Sequence, residues 1–166
     1  PRLLSEMGRE LVHTRFLLET GPTHRLFDRL EARALDMIVA ADLGEAAAWA
    51  EVHPLMEEPF VAAVPRGAVP EGADPAEVLR AMPLIQYSGR HIMGRQIAAH
   101  LTRHAPDLDQ RFELDSYHAI MAMVASGAGW SVLTPLGFMR AGRFRDRADV
   151  LPLPFAPLSR TIALTA

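Results

Sequence analysis

Apolar residues recur along the chain with two different spacings, and the two alternate from end to end. Leu3, Leu4, Met7 and Leu11 fall at roughly helical spacing, so residues 3–11 are predicted helical. In "VHTRFLLE" the period drops to two. Val12, Thr14, Phe16 and Leu18 share one face and His13, Arg15, Leu17 and Glu19 the other, which predicts a strand over 12–18 with a partly polar second face. "TGPTHR" reads as a turn and a helix start, and Leu26, Phe27 and Leu30 supply that helix with its buried stripe. "LDMIVAA" (35–41) is short and mostly apolar, the pattern of a strand covered on both faces. Residues 42–54 are less regular, and "EEPFVAAVPRG" (57–67) is predicted to be a strand with Pro59 near its start and Pro65 ending it.

"GAVPEGADP" is a loop rich in Gly and Pro, and the best candidate boundary between two lobes. A short helix follows, with Pro75 suited to its first turn. Then come a strand at "PLIQYS", a helix at "HIMGRQIAAHLTRH" and a strand at "RFELD". In "DSYHAIMAMVASGAGWSVLTP" (115–135) Ser116 is a sensible N-cap for helix 117–126. Gly127 is a natural left-handed C-terminal cap, and Gly129 lets the backbone turn into strand 130–134. That helix is apolar almost all round, as expected when a sheet and a second element both cover it. Pro135 opens another helix, and the chain finishes in an extended segment and a strand. Alternating strands and helices imply an α/β protein with mostly parallel sheets. The order helix, strand, helix, strand occurs at 3–40 and again at 92–134, a weak internal echo that suggests two similar lobes.

Composition narrows the function. The 166 residues are 49% hydrophobic, enough to bury a core. The net charge of −3 argues against a large nucleic-acid footprint on this chain. Every basic side chain apart from histidine is Arg. Cysteine is absent, which removes disulfides, thiolate metal sites and a Cys nucleophile. No apolar run approaches the ~20 residues of a membrane span. The chain starts without an initiator Met or a signal peptide's apolar core, as a piece excised from a longer protein would.

Three segments taken in order resemble one family. "LLETGPTHRLFDRLEARALDMIVA" (17–40), "HPLMEEPFVAAVP" (53–65) and "MVASGAGWSVLTP" (123–135) are similar to hallmark segments of the effector-binding domain of LysR-type transcriptional regulators. The resemblance implies an α/β fold of two Rossmann-like lobes joined by crossover strands, like a type 2 periplasmic binding protein. Mapped onto this chain, the first lobe spans 1–64 with 154–166 returning to it, and the second spans 65–153. It also implies a small-molecule effector in the cleft and a cytoplasmic location. Operator DNA would be bound only through an N-terminal winged helix-turn-helix not present here. A homodimer is implied, with a tetramer in the full-length protein. Neither cofactor, membrane partner nor enzymatic activity is expected.

Candidate contacts follow from the strand ends. "YSGRH" (87–91) lies between a strand and a helix N-terminus, where free N–H groups favour an anion. Ser88 and Gly89 are candidates to donate there and Arg90 to pair with a carboxylate, pointing to an organic anion. Ser116, Tyr117 and His118 open the next helix and would face the cleft in the family fold. Thr23, at the start of the first-lobe helix, and Asp42, after a strand end, are the first-lobe candidates. Each has a plainer role open to it, as a cap, a solvated charge or hinge packing. His100 and His104 share a helical face, but no third ligand is evident, so no metal is expected. They would lie near a dimer contact of helix 3–11 and strand 12–18 against helix 92–104 and strand 111–115. Trp49 and Trp130 read as packing residues. An extracytoplasmic solute-binding protein of similar fold is the alternative, and an enzyme on the same scaffold is the weaker one, since no G-x-S-x-G, P-loop or G-x-G-x-x-G occurs.

Overall fold

The computed structural model describes residues 2–41 and 49–166. Two helices come first, α1 (Arg2–Glu10) and α2 (Thr23–Glu31), then strands β1 (Ile38–Ala41), β2 (Val52–Pro59) and β3 (Val61–Pro65). Helix α3 (Pro75–Arg80), strand β4 (Leu84–Tyr87), helix α4 (Ile92–His104) and strand β5 (Gln110–Leu114) follow. The chain continues through α5 (Tyr117–Ala125), β6 (Ser131–Leu133), α6 (Pro135–Arg140), a 3-10 turn (Gly142–Arg147), β7 (Ala148–Pro152) and β8 (Ser159–Thr165).

The strands form two groups. One sheet has the order β1-β8-β2. In the other, β3 lies between β6 and β7. The parallel pair β4-β5 continues this second layer, because Ile85 N–H donates to the Trp130 carbonyl and Trp130 N–H to that of Pro83, just ahead of β6. The expectation of mostly parallel sheets is corrected: β8 runs antiparallel to both neighbours, as does β3. The cause is that β2–β3 and β7–β8 cross between the two groups and lie among strands of the opposite sense. Among the described residues, only β4, β5 and the start of β6 keep the parallel arrangement of a β-α-β unit.

Two expected strands come out differently. Residues 12–18 form a turn and extended coil that pairs with no strand among the described residues, and Val12, Leu17 and Leu18 are largely exposed. Alternation predicts a face, and a strand also needs a partner with free backbone groups. The predicted strand over 57–67 is two strands, broken at Phe60, and the first of them begins at Val52. Pro54 and Pro59 hid it. Both are tolerated because β2 is an edge strand, and the ladder shifts register between Pro54 and Met56.

The larger core lies around the second sheet, where Trp130, Ile120, Met121, Leu133 and Val64 are fully buried. Trp130 stacks near Phe155 in the segment leading to β8, a packing role as expected. Among the described residues, a small cluster of Leu30, Ile38 and Ala40 packs at the first sheet. Helix α5 is covered on nearly every side, which explains its apolar circumference. It ends in a Schellman motif: Gly127 N–H donates to the Val124 carbonyl and Ala128 N–H to that of Met123, with Gly127 at φ +86°. Gly129 is needed for space, since a side chain there would run into the Pro83 carbonyl. Gly127→Val is therefore expected to cost roughly 1–2 kcal/mol through the left-handed backbone alone. Gly142→Ala, where nothing lies within 4 Å, serves as the neutral control. Denaturant melts of the two variants check it.

Candidate functional site

Strands β5, β4 and β6 end on one edge, and the segments that leave them meet there: loop 88–91, residues 115–118 and residues 134–140. In α/β sheets this carboxyl edge is where ligands bind. Tyr87 and Tyr117 place their rings 5.1 Å apart across it. The Tyr117 hydroxyl donates to Met93 Sδ at 2.8 Å and also hydrogen-bonds Thr134. Its ring lies over Gly137, where a Cβ would come within 2.6 Å of the Tyr117 ring.

Beneath this edge sits an ion pair whose carboxylate is buried. Glu58 and Arg160 are register partners across the β2–β8 ladder. Arg160 donates from Nε at 2.9 Å and Nη2 at 2.7 Å to Glu58 Oε2. Glu58 Oε1 accepts Leu136 N–H at 2.9 Å, while the Thr134 hydroxyl accepts Gly137 N–H, so the start of α6 is fully supplied. Glu58 is 1% exposed. Burying a carboxylate is costly, and three hydrogen bonds, two of them to a guanidinium, offset that cost. A cavity of about 360 Å³ opens beside the pair, lined by Tyr117, Thr134, Gly137, Met139, Arg140 and Arg160 among others.

The predicted contacts distribute unevenly around this centre. In loop 88–91, Ser88 N–H donates to the Leu114 carbonyl and His91 N–H to that of Ser88. Ser88 Oγ–H donates to Glu113 Oε1 at 2.6 Å, and Gly89 N–H reaches the same oxygen at 3.3 Å. Arg90 N–H points to Ser88 Oγ at 3.4 Å, and Arg95 Nη1 holds the Gly89 and Arg90 carbonyls. The donors expected for an anion thus face the protein's own carboxylate. The Arg90 side chain is exposed. Ser116 occupies the N-cap position of α5 but makes no side-chain cap. Tyr117 lines the cavity, whereas His118, one residue on, turns to the Phe144 ring at 4.9 Å. Thr23 is the first residue of α2, and Pro22 holds the cap position without a side-chain bond. Asp42 lies outside the described residues.

His100 Nε2–H donates to the Phe155 and Ala156 carbonyls, at 3.0 and 3.2 Å, and its ring is 4.6 Å from that of His104. This histidine is a strut for the segment between β7 and β8. Among the described residues no cluster of three or more His, Cys, Asp or Glu could hold a metal ion. Sequence reasoning missed Glu58, Arg160, Thr134 and Arg140. A signal existed for the first two: Glu58 adjoins the apolar "PFVAAV", and Arg160 is the single charge of the strand "SRTIALT".

Burial raises the Tyr117 hydroxyl above its ordinary pKa of 10.0, against smaller lowering effects of the Thr134 hydrogen bond and the Arg160 charge. Burial, with the Asp115 charge second, raises Tyr87 likewise. A folded-state pKa above the unfolded one gives stability that is complete below pH 10 and is lost as pH climbs through the folded value. These are the chain's two tyrosines. An alkaline near-ultraviolet titration is expected to show no ordinary tyrosine step at pH 10, only ionisation above it.

Comparison with known proteins gives the family and the fold. Residues 1–166 match the family described as the LysR substrate binding domain. The chain is 27% identical over 166 residues to the hydrogen peroxide-inducible genes activator of Pectobacterium carotovorum subsp. carotovorum, covering 99% of this chain and 54% of that protein. It is 26% identical, with the same coverage, to the DNA-binding transcriptional dual regulator OxyR of Escherichia coli K12. It therefore spans about half the length of the curated relatives it matches. The regulatory domain of CcmR from Synechocystis PCC6803, solved with 2-PG, superposes with a TM-score of 0.80 at 21% identity, over 100% of this chain and 80% of that one. A reduced form of OxyR from N. meningitidis gives 0.73 at 26% identity, over 99% and 78%.

Proposed function

The chain belongs to the LysR substrate-binding-domain family, and from that premise we propose that it is the sensing part of a cytoplasmic transcription regulator. Its fold is the two-lobed α/β arrangement of that family's regulatory domains. The family is one of regulator domains and not of enzymes, and no turnover of the bound molecule is part of this reading. The effector sits at the carboxyl edge of β5, β4 and β6, against Tyr117 and beside the junction of the two sheets. The observation that carries this is the cavity of about 360 Å³ there, within the 300–1,000 Å³ typical of small-molecule sites. Of the contacts expected from the sequence, Tyr117 is the one this reading keeps at the cavity; Ser88, Gly89, Arg90, Ser116, His118 and Thr23 are outside its lining.

The lobes of this reading are 1–64 with 154–166, and 65–153. Sheet pairing supports moving the first crossing to Phe60, because β3 pairs with β6 and β7. A ligand that prefers one arrangement of the lobes shifts the equilibrium between arrangements by its difference in affinity, with no chemistry required. DNA contact comes from a separate N-terminal domain, and the whole protein works as a homodimer or a pair of dimers. Some relatives are named for hydrogen peroxide. With no cysteine in 166 residues, a disulfide or sulfenic acid cannot be the signal in this chain, so the effector is bound and not captured covalently at sulfur of that kind.

A thermal-shift screen of small organic acids, amides and aromatic metabolites tests the proposal. A true effector at about a hundred times its Kd adds about 2.7 kcal/mol, worth several degrees in Tm for a domain of this size. No stabiliser of any charge across the screen would count against a sensing role.

A further inference from the structure

We infer that the ligand of this cavity is a small organic monoanion, held between Arg160 and Arg140 and not by loop 88–91. This rests on the sensing role proposed above and adds the chemical class and the residues that select it. Two of the three nitrogens of Arg160 are committed: Nε and Nη2 to Glu58, with Nη2 also 3.5 Å from Thr134 Oγ1. Nη1 has only Met93 Sδ, at 3.7 Å, and a thioether is a weak acceptor. Its N–H groups are thus undersupplied at the wall of the cavity. Arg140 also lines the cavity, and its side chain has no hydrogen bond or ion pair among the described residues.

Charge counting gives the class. Two guanidinium groups border the cavity, and the adjoining carboxylate, Glu58, is fully used by Arg160 and Leu136 N–H. One positive charge remains, which a single carboxylate balances. The Tyr117 ring, Leu136 and Met139 supply apolar walls for the body of the molecule. The loop first suspected from its sequence is in the opposite condition. Glu113 already accepts from Ser88 Oγ and Gly89 N–H, so an incoming anion would have to displace a carboxylate that is covalently part of the protein. Arg95 fixes the same loop from its carbonyl side.

The test is an NMR titration of the 166-residue chain with acetate and benzoate, each against its neutral amide, acetamide or benzamide. Shifts are expected at Leu136 and Gly137 N–H and at Arg160 Nε–H with the carboxylates, and much smaller ones with the amides. Arg140→Gln is expected to weaken carboxylate binding about tenfold, the worth of one charged hydrogen bond, and Arg140→Lys to restore most of it. Arg140 is exposed and makes no internal contact of this kind, so the fold should be untouched. Arg90→Gln is expected to change nothing. Shifts confined to residues 88–91, with affinity lost on Arg90→Gln, would overturn the inference while leaving the sensing role intact. Equal binding of acid and amide, or no shift with either carboxylate, would also overturn it. If a neutral compound nevertheless stabilises the chain in the thermal screen, sensing stands without the anion.

Discussion

A buried carboxylate and the guanidinium paired with it, where one sheet gives way to the other, set the terms for everything around them. Glu58 closes β2 just before the chain crosses at Phe60, and Arg160 faces it on β8, just after the return crossing. Arg160 cannot be removed alone without leaving Glu58 unpaired in a site closed to water. The pair is also a branch point. From Glu58 the contact runs to the backbone of α6, and from Arg160 to Thr134 and Met93, both of which meet the Tyr117 hydroxyl. Strands from one sheet and three helices at the edge of the other are thereby held to a single carboxylate–guanidinium geometry.

That placement matters for sensing. The cavity lies against Arg160, so a ligand touching its wall touches a group already shared between the sheets. A molecule bound elsewhere on the surface would have to act through less committed contacts. Loop 88–91 is an example of a commitment of the other kind, closed by Glu113 and Arg95 from both sides. Chemistry at sulfur is restricted as well: the chain has methionines but no thiol, so selectivity falls to shape and charge.

The parts of this structure legible in the sequence are those set by neighbours along the chain. Pro75 starts α3, Pro135 starts α6, and Gly127 ends α5, each by local backbone chemistry. Most of the order of elements was readable for the same reason, while the two-lobed class was implied by the resemblance of three segments to one family. What escaped depends on partners far away in sequence. Residues 12–18 alternate like a strand but pair with none among those described, and β2 was masked by prolines that only an edge strand tolerates. The donors of loop 88–91 were visible, while the carboxylate that uses them comes from β5. Glu58 and Arg160 could be noticed singly as charges in apolar strands. That they meet is a matter of register between strands about a hundred residues apart, which no local rule supplies.

A double-mutant cycle on Glu58→Met and Arg160→Met, read by denaturant unfolding, tests this account most directly. Arg160→Met is expected to cost about 3–5 kcal/mol, because it leaves the Glu58 charge buried without its guanidinium, and Glu58→Met less, because Arg160 still reaches the cavity. The double variant should cost far less than their sum, with a coupling of at least about 1.5 kcal/mol. Costs that simply add, to within about 0.5 kcal/mol, would mean that the two residues do not act as a pair, and the junction would have to be held by something else.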